Sequence, residues 1–488
     1  MKTKIKSKYI VRYNGDDHEI LLNGELVYQD DTIIFVGKNY SETVDKEVNL
    51  GNALVSPGFI DLNALGDIDH DIIHLEAYPE IQNSLRPSEH YYRSGMHELM
   101  TPEEEAFKSF YAYAQLILSG VTTAMPITSV YYKEWAETYE EIAAAVRHAG
   151  QLGLRLYISP SYQSGFGVIT DDGLYKVCFE EEKGASGLER AKKFIEEFDG
   201  AYDGLIRGCL EPERVETQSE ANLINTKKAA DNLNCLIKLH AAQGRAEYDL
   251  IRQKTGKSTI KYLYDIGFLG KNVGIPHCYV AAGTMWGDDE DGDDLDILSK
   301  TGTTVIYCPV IIGRSGRYLD SFAEYRRRGI NIALGTDTFP TDFFQNIRIA
   351  SIFSRMVEGN SRGSTYADVY RAATLGGANF LGRDDLGRLS VGAKADLIAI
   401  NLDNFHMGPT DDPLRTAFMV GNRTDIILSI INGRKVMENQ KIPGVDLVEL
   451  REVGQKYYNK MKLGYLERDG FGCSRDEIFR SSFPIVEN

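Results

Sequence analysis

The chain has 488 residues, and its 54 Lys and Arg against 71 Asp and Glu give a net charge of −17 at pH 7. Hydrophobic residues make up 43 % of it and charged residues 26 %, an ordinary globular composition that excludes a disordered or fibrous chain. The acidic balance argues against binding to nucleic acid or to an anionic membrane, because phosphate recognition needs a basic surface.

The N-terminal sequence and the cysteine pattern indicate the cellular compartment. Residues 1–20 lack the apolar stretch of a secretory signal, and no run in the chain approaches 18 uninterrupted apolar residues. The six cysteines are scattered and form no C-x-x-C pair, a pattern typical of reduced thiols. We therefore expect a cytoplasmic protein without a membrane anchor.

The first 55 residues indicate short strands separated by Gly, Asn and Asp turns. From there to about residue 381, apolar β-rich runs alternate with helix-like stretches. Runs that are apolar throughout favour a parallel sheet buried on both faces, and eight such alternations favour a (β/α)8 TIM barrel. The eight runs are LVSPGFIDL, GVTTAMPITS, LRLYISPSY, LIRGCLEP, CLIKLHAA, NVGIPHCYV, TTVIYCPV and INIALGTDT.

Short predicted strands separated by turn residues return after about residue 384, so the two ends of the chain have the same β-rich pattern. The simplest arrangement is an α/β protein in which both termini build one small domain. We predict a composite β-sandwich from residues 1–55 and 385–446, a barrel over 56–384, and a C-terminal packing tail over 447–488.

Several motifs follow the predicted barrel strands in order. They are PGFIDL at 57–62, SGVTT at 119–123, LHAAQ at 239–243, PHC at 276–278, YCP at 307–309, LGTDT at 334–338 and GRLSVGAKADLIAI at 387–400. This set resembles the amidohydrolase superfamily, in particular the branch with atrazine chlorohydrolase, guanine deaminase and cytosine-deaminase-like enzymes. The resemblance covers nearly the whole chain. It implies a distorted barrel with a composite β-sandwich, a small-molecule substrate, and a homodimer as the expected assembly.

The resemblance also implies a divalent metal at the C-terminal mouth of the barrel, where it activates a water molecule. The family places a His-x-His after barrel strand 1, a His after strand 5, often a His after strand 6, and an Asp after strand 8. The last three correspond to His240, His277 and Asp337. As catalytic residues, Asp337 is expected to act as the base, His277 to polarise the reacting group, and His240 to hold metal or water.

The chain departs from the family pattern at the mouth. Asn63 and Leu65 replace both histidines of the strand 1 motif, and Leu65 offers no ligand atom. Gln243 stands where the family often has a proton-shuttling Glu, and Gln binds a substrate without transferring a proton. Tyr307 precedes Cys308-Pro309 where a His is frequent. This clustering indicates an altered or lost chemistry on a retained scaffold.

Three arrangements of the site remain open. His240, His277 and Asp337 could bind one divalent metal, zinc or iron, since two His and a carboxylate form a legitimate ligand set. Alternatively, His70 or His74 from the following loop replaces the missing pair. In the third arrangement no metal is bound, and the Lys238 ammonium pairs with Asp337 in its place or forms a local ion pair one layer down.

Two functions from different classes follow. In the first, the protein is a hydrolase that cleaves a C–N bond of a cyclic amide, an amidine or an amino-heterocycle by attack of activated water. In the second, it binds a small ligand or a partner without metal or catalysis. For the hydrolase, we predict that Gln243, Asn63, Tyr307 and Arg314 contact the substrate.

Overall fold

The computed structural model describes residues 1–68, 86–288 and 292–486. The strands are β1 (Lys2–Tyr13), β2 (His18–Gln29), β3 (Thr32–Gly37), β4 (Lys46–Asn49), β5 (Ala53–Pro57), β6 (Phe59–Leu65), β7 (Val121–Ile127), β8 (Arg155–Ile158), β9 (Gly165–Ile169), β10 (Tyr175–Phe179), β11 (Ile206–Leu210), β12 (Leu236–Lys238), β13 (Val273–Pro276), β14 (Thr304–Tyr307), β15 (Ile332–Leu334), β16 (Leu397–Asn401), β17 (Ile426–Ile431) and β18 (Arg434–Glu438). The helices are α1 (Glu89–Gly95), α2 (Pro102–Leu118), α3 (Tyr139–Leu152), α4 (Glu181–Phe198), α5 (Ala201–Gly204), α6 (Glu220–Leu233), α7 (Arg245–Thr255), α8 (Thr259–Asp265), α9 (Asp294–Thr301), α10 (Pro309–Arg314), α11 (Phe322–Arg327), α12 (Phe343–Glu358), α13 (Tyr366–Arg371), α14 (Gly377–Phe380), α15 (Pro413–Val420), α16 (Leu447–Arg468) and α17 (Arg475–Ile478).

A parallel barrel fills the centre of the chain. Its eight strands pair in the order β6, β7, β8, β11, β12, β13, β14 and β15, hereafter barrel strands 1 to 8. The Asp337 amide donates to the Asn63 carbonyl oxygen at 2.6 Å, which joins the end of strand 8 to strand 1. The predicted (β/α)8 barrel is confirmed.

The helices around the barrel begin where the sequence provides caps. Thr101 caps α2 and Thr138 caps α3, each in a capping box with the Glu three residues later. The strands beneath are buried on both faces, as their uninterrupted apolar sequences predict. This packing brings the C-terminal ends of the eight strands to one rim.

Both termini build one mixed sheet. Its order is β18-β17-β16-β5-β1-β2-β3, and β4 pairs with β1. One core cluster joins residues from both ends of the chain, among them Ile5, Ile10, Val55, Leu397 and Ala399. The predicted small β domain assembled from the two termini is therefore confirmed.

A buried ion pair connects this sheet to the barrel. Arg155 on barrel strand 3 is 1 % exposed and donates from Nε and Nη2 to the two carboxylate oxygens of Asp396, at 3.1 and 3.2 Å. Asp396 also accepts from the Asn432 amide in the β17–β18 turn, at 2.6 Å. Two-pronged pairs of this kind fix orientation as well as distance.

In the part of the chain that is described, no helix combines the length and the apolar character needed to cross a lipid bilayer.

Candidate functional site

The mouth of the barrel contains a cavity of about 190 Å³. His240 and Gln243 reach it after strand 5, His277 after strand 6 and Asp337 after strand 8. These four predicted site residues lie together because the ends of parallel barrel strands converge on one face.

His277 and Asp337 form the centre of the site. His277 Nε2 lies 3.0 Å from Asp337 Oδ2, and the side chains are 2 % and 10 % exposed. Asn63 Nδ2 donates to the same carboxylate oxygen at 3.2 Å. His277 and Asp337 have φ values of 65° and 63°, a left-handed conformation that is uncommon outside glycine and often found at functional sites.

Asp61 lies beneath this centre and ties strand 1 to strand 8. It accepts hydrogen bonds from the Thr336 amide at 3.0 Å and the Thr336 hydroxyl at 2.5 Å. Burial raises the pKa of Asp61 to about 6 despite these bonds. Gly335 completes the junction, since a Cβ there would lie 2.7 Å from the Asn63 Cβ. The chain before Asp337 is thereby held in place.

His240 has a fixed tautomer. Its Nδ1 lies 2.9 Å from the Glu213 carbonyl oxygen, which can only accept, so Nδ1 carries the proton and Nε2 keeps its lone pair. Burial, reinforced by the nearby Arg214 charge, lowers the pKa of His240 well below its usual value. The ring is therefore neutral near pH 7, and its centroid is 5.8 Å from that of His277.

Lys238 does not neutralise Asp337. Its ammonium lies 2.9 Å from Glu211 Oε2 and donates to the carbonyl oxygens of Met125 and Pro126 at 3.1 and 2.9 Å. The predicted Lys238–Asp337 pair is wrong, and the alternative of a local ion pair one layer down is what the structure contains. Lys238 points into the barrel as expected, but the nearer carboxylate belongs to strand 4.

The carboxylates around the cavity were missed by the sequence reasoning. Glu211 and Glu213 follow strand 4, Glu137 follows strand 2, and all three line the cavity. Glu137 is held by the Ser161 amide, which donates to its Oε2 at 2.6 Å. A signal was available: Glu211 and Glu213 are two residues apart directly after an apolar strand, a spacing that places both on one face.

Two predicted substrate contacts lie elsewhere. Tyr307 is 1 % exposed and packs 6.3 Å, between ring centroids, from Phe322 behind the rim. Arg314 Nη1 donates to the Phe339 carbonyl oxygen at 2.7 Å and so supports the loop after strand 8. Tyr307 and Arg314 are not among the described residues that line the cavity. The strand pattern located Tyr307 correctly, but alternation turned its ring outward.

Asn63 reaches the site through Asp337 and does not line the cavity itself. His70 and His74 lie outside the described residues, so their proposed replacement of the strand 1 histidines stays a prediction.

Three side chains of the site, His277, Cys308 and Asp337, have the donor atoms and the spacing that a metal ion requires. One nitrogen of His277, Cys308 Sγ and one oxygen of Asp337 all lie within 4.8 Å of one another. Both ring nitrogens of His277 are buried without a hydrogen bond in the described structure, although Nε2 lies 3.0 Å from Asp337 Oδ2. Nitrogen, sulfur and oxygen donors at this spacing suit Zn²⁺. Cys308 was not among the predicted ligands, and His240 lies outside this close group.

Comparison with known proteins agrees with this architecture. The model of the amidohydrolase family matches residues 54–436. A 5'-deoxyadenosine deaminase from Methanosarcina barkeri is 26 % identical over 459 residues, which are 93 % of this chain and 96 % of the relative. A 5-methylthioadenosine/S-adenosylhomocysteine deaminase from Pyrococcus abyssi is 25 % identical over 446 residues, 88 % of this chain and 93 % of that protein.

Solved structures share the fold. Atrazine chlorohydrolase from Arthrobacter aurescens TC1 complexed with zinc superposes with a TM-score of 0.77 at 18 % identity, covering 93 % of this chain and all of the other. An adenosine deaminase from Xanthomonas campestris with bound zinc gives a TM-score of 0.75 at 17 % identity over 94 % and 98 % of the two chains.

The fold and the barrel-mouth site define a TIM-barrel hydrolase. The chain belongs to the amidohydrolase family, because the family model matches more than half of its length. The resemblance read from the strand-end motifs, and the hydrolase class that it implied, are confirmed.

Proposed function

We propose that the protein hydrolyses a C–N bond of a small amino-heterocycle, amidine or cyclic amide, with Asp337 as the general base. The observation that carries this proposal is the pairing of Asp337 with His277 at 3.0 Å on the cavity wall. A base and a polarising group next to one another in a concave pocket suit the attack of water on an sp² carbon.

In this reaction Asp337 takes a proton from water while the water oxygen bonds to the carbon. His277 faces the reacting group and stabilises the charge that develops on it. The C–N bond then breaks, and the proton held by Asp337 passes to the departing nitrogen. Asn63 orients Asp337 by donating to its Oδ2.

Gln243 positions the substrate. Arg214 Nη1 donates to its Oε1 at 2.5 Å, which fixes the amide orientation and leaves the Nε2 protons for a ligand. This Gln cannot replace the proton-shuttling Glu of the family pattern, so proton transfer rests on Asp337.

We further propose that His277, Cys308 and Asp337 hold one divalent metal, with His240 beside them. Its role when bound is to lower the pKa of a water molecule towards neutrality. The support is the close donor group and the unpartnered nitrogens of His277.

The names of the relatives indicate which substrates to assay. Ammonia release from 5'-deoxyadenosine, 5-methylthioadenosine, S-adenosylhomocysteine and an aminotriazine should be measured with the purified protein, with and without added Zn²⁺, Fe²⁺ or Mn²⁺. We expect turnover of at least one, and Asp337→Asn should lower it about 10³-fold, since general-base catalysis contributes factors of this order.

Asp411→Asn, an exposed carboxylate, serves as the matched control and should keep full activity. Turnover by the Asp337→Asn variant at the wild-type rate would reject the assigned base. A wild-type protein that binds these compounds but converts none of them favours the alternative of a metal-free binding protein.

A further inference from the structure

Glu247, on helix α7, is a buried carboxylate that contacts the turn after barrel strand 5. It is 5 % exposed. Its Oε1 accepts a hydrogen bond from the Ala242 amide at 3.1 Å, and its Oε2 accepts one from the Gln243 amide at 2.8 Å. The Thr259 hydroxyl on α8 also donates to Oε1, at 2.6 Å. Glu247 therefore holds two consecutive backbone amides of the turn that carries Gln243.

No cation balances this carboxylate. Among the residues that the structure describes, no Lys, Arg or His forms an ion pair with it, whereas the buried Glu211 pairs with Lys238. Burial raises the pKa of the Glu247 carboxyl, the like charge of Glu216 acts in the same direction, and the three hydrogen bonds oppose both. The cost of burying an unpaired carboxylate is thus offset by hydrogen bonds, and two of the three go to the turn.

The turn that Glu247 holds contains a left-handed residue. Ala242 has a φ of 51°, a conformation that is unfavourable for a residue with a Cβ. The Ala242 carbonyl accepts from the Val280 amide at 2.9 Å, and Ala241 forms a parallel β-bridge with His277. The turn is therefore held on one side by Glu247 and on the other by the chain that carries His277.

The Gln243 side chain is held separately from its backbone. Gln243 is half-buried and lines the cavity. Arg214 Nη1 donates to its Oε1, and Glu247 accepts from its backbone amide, so the two contacts together restrict where its Nε2 lies. A polar group that is already ordered before a ligand arrives loses less conformational entropy on binding.

We propose that Glu247 is a positioning residue, which aligns the Gln243 side chain toward the substrate by holding the amides of Ala242 and Gln243. This rests on the proposed function in taking Gln243 as a substrate contact. Glu247 acts through the turn and takes no part in the proton transfer assigned to Asp337. Its loss should therefore weaken substrate binding more than it slows the chemical step.

The first test is hydrogen exchange of the full-length protein, followed by mass spectrometry of peptides that cover residues 240–248. Glu247→Gln keeps the size of the side chain, but its single carbonyl oxygen cannot replace both carboxylate oxygens. We expect the Ala242 and Gln243 amides to exchange about tenfold faster, since a hydrogen bond to a charged group is lost. Asp249→Asn on the same helix, where the carboxylate is 54 % exposed, is the matched control and should exchange as the wild type does.

Unchanged exchange of these amides in a folded Glu247→Gln variant overturns the proposal. If that variant does not fold, Thr259→Val decides, because it removes only the hydroxyl that orients the carboxylate. It should speed exchange of the Ala242 and Gln243 amides about threefold, the effect of one neutral hydrogen bond. Wild-type exchange in Thr259→Val would then overturn the proposal.

The second test asks whether Glu247 acts through Gln243, using the assayed compound that the wild type converts fastest. Glu247→Gln and Gln243→Ala should each raise KM about tenfold and leave kcat within about threefold of the wild type. The double variant should be no worse than Gln243→Ala alone. Additive losses in kcat/KM overturn the proposal, because a residue that only stabilises the start of α7 would act whether or not the Gln243 side chain is present.

Failure of the proposed function gives a different result. If the wild type converts none of the assayed compounds, that function is rejected, and crystal structures of the wild type and Glu247→Gln decide the role of Glu247. A displaced Gln243 side chain in the variant supports the positioning role. Gln243 in the same place in both structures overturns it.

Discussion

Asn63 and Leu65 occupy the two positions on barrel strand 1 where the family pattern has histidines. Asn63 hydrogen-bonds Asp337, and Leu65 is 1 % exposed, so both are integrated into the packed mouth. The remaining donors are one histidine, one thiol and one carboxylate within 4.8 Å. Three ligands of mixed type bind a metal less tightly than a complete set does, so a metal held by this group would be bound less tightly than one held by the ligand set of the family pattern.

Restoring the two histidines should strengthen metal binding. We expect the double variant Asn63→His, Leu65→His to bind Zn²⁺ at least about tenfold tighter, because imidazole nitrogens are favoured zinc ligands. Metal content by mass spectrometry and competition with a chelator measure the change. A double variant that folds but binds Zn²⁺ no better than the wild type would contradict the assigned geometry of the mouth.

One helix, α16, determines how the C-terminal tail is attached. Arg468 at its end is fully buried, donates from Nε to the Tyr91 hydroxyl at 3.0 Å and from Nη2 to the His97 carbonyl at 2.8 Å. Met461 and Tyr465 on the same helix pack with Tyr131. Helix α16 thus supports the segment before α2, and the bounds of the packing tail, 447–488, stay a prediction.

Removing this guanidinium should destabilise the protein. Arg468→Leu removes the two hydrogen bonds that the buried guanidinium donates to the Tyr91 hydroxyl and the His97 carbonyl, at a cost of about 2–3 kcal/mol. Thermal and urea unfolding midpoints should fall together. Arg451→Leu on the same helix, where the side chain is exposed, is the control and should shift neither. Equal midpoints for the two variants would show that the buried contacts contribute nothing.

At the scale of the whole molecule, the sheet built from both termini rests on the barrel through polar contacts. Arg155 pairs with Asp396, and the Ser56 and Tyr370 hydroxyls lie 2.6 Å apart. His18 on β2 contributes a third contact, with Nε2 3.0 Å from Thr374 Oγ1. Burial lowers the pKa of His18 to about 4, Arg371 and Arg388 act in the same direction, and Asp17 opposes them.

This contact should weaken in acid. The folded pKa of His18 lies below its ordinary value, so below about pH 6.5 the unfolded chain takes up a proton that the folded protein does not. The stability is therefore fully present above pH 6.5 and is lost progressively as the pH falls towards 4. Between pH 7.5 and pH 5 the loss amounts to about 2 kcal/mol.

His18→Gln keeps a hydrogen-bonding side chain without the titration. Its urea midpoint should fall less between pH 7.5 and pH 5 than that of the wild type. His90→Gln, at an exposed position on α1, is the control and should keep the wild-type pH dependence. Identical pH dependence in the wild type and His18→Gln would exclude His18 as a source of the acid lability.

The sequence by itself determined the barrel and the small β domain, and it placed His240, His277 and Asp337 at strand ends, where they line the cavity; their roles stay predictions. Each of these depends on a local signal: apolar strands with punctuated ends, and polar residues at those ends, which parallel strands gather on one face.

The tertiary structure decided which side chains contact one another. It placed Lys238 beside Glu211, turned the Tyr307 ring behind the rim, and brought Cys308 close to His277 and Asp337. It also placed Glu211 and Glu213, which follow strand 4, on the wall of the cavity. Ion pairs and hydrogen bonds depend on distances of a few ångströms between strands far apart in the chain, and no pattern within one strand specifies these distances.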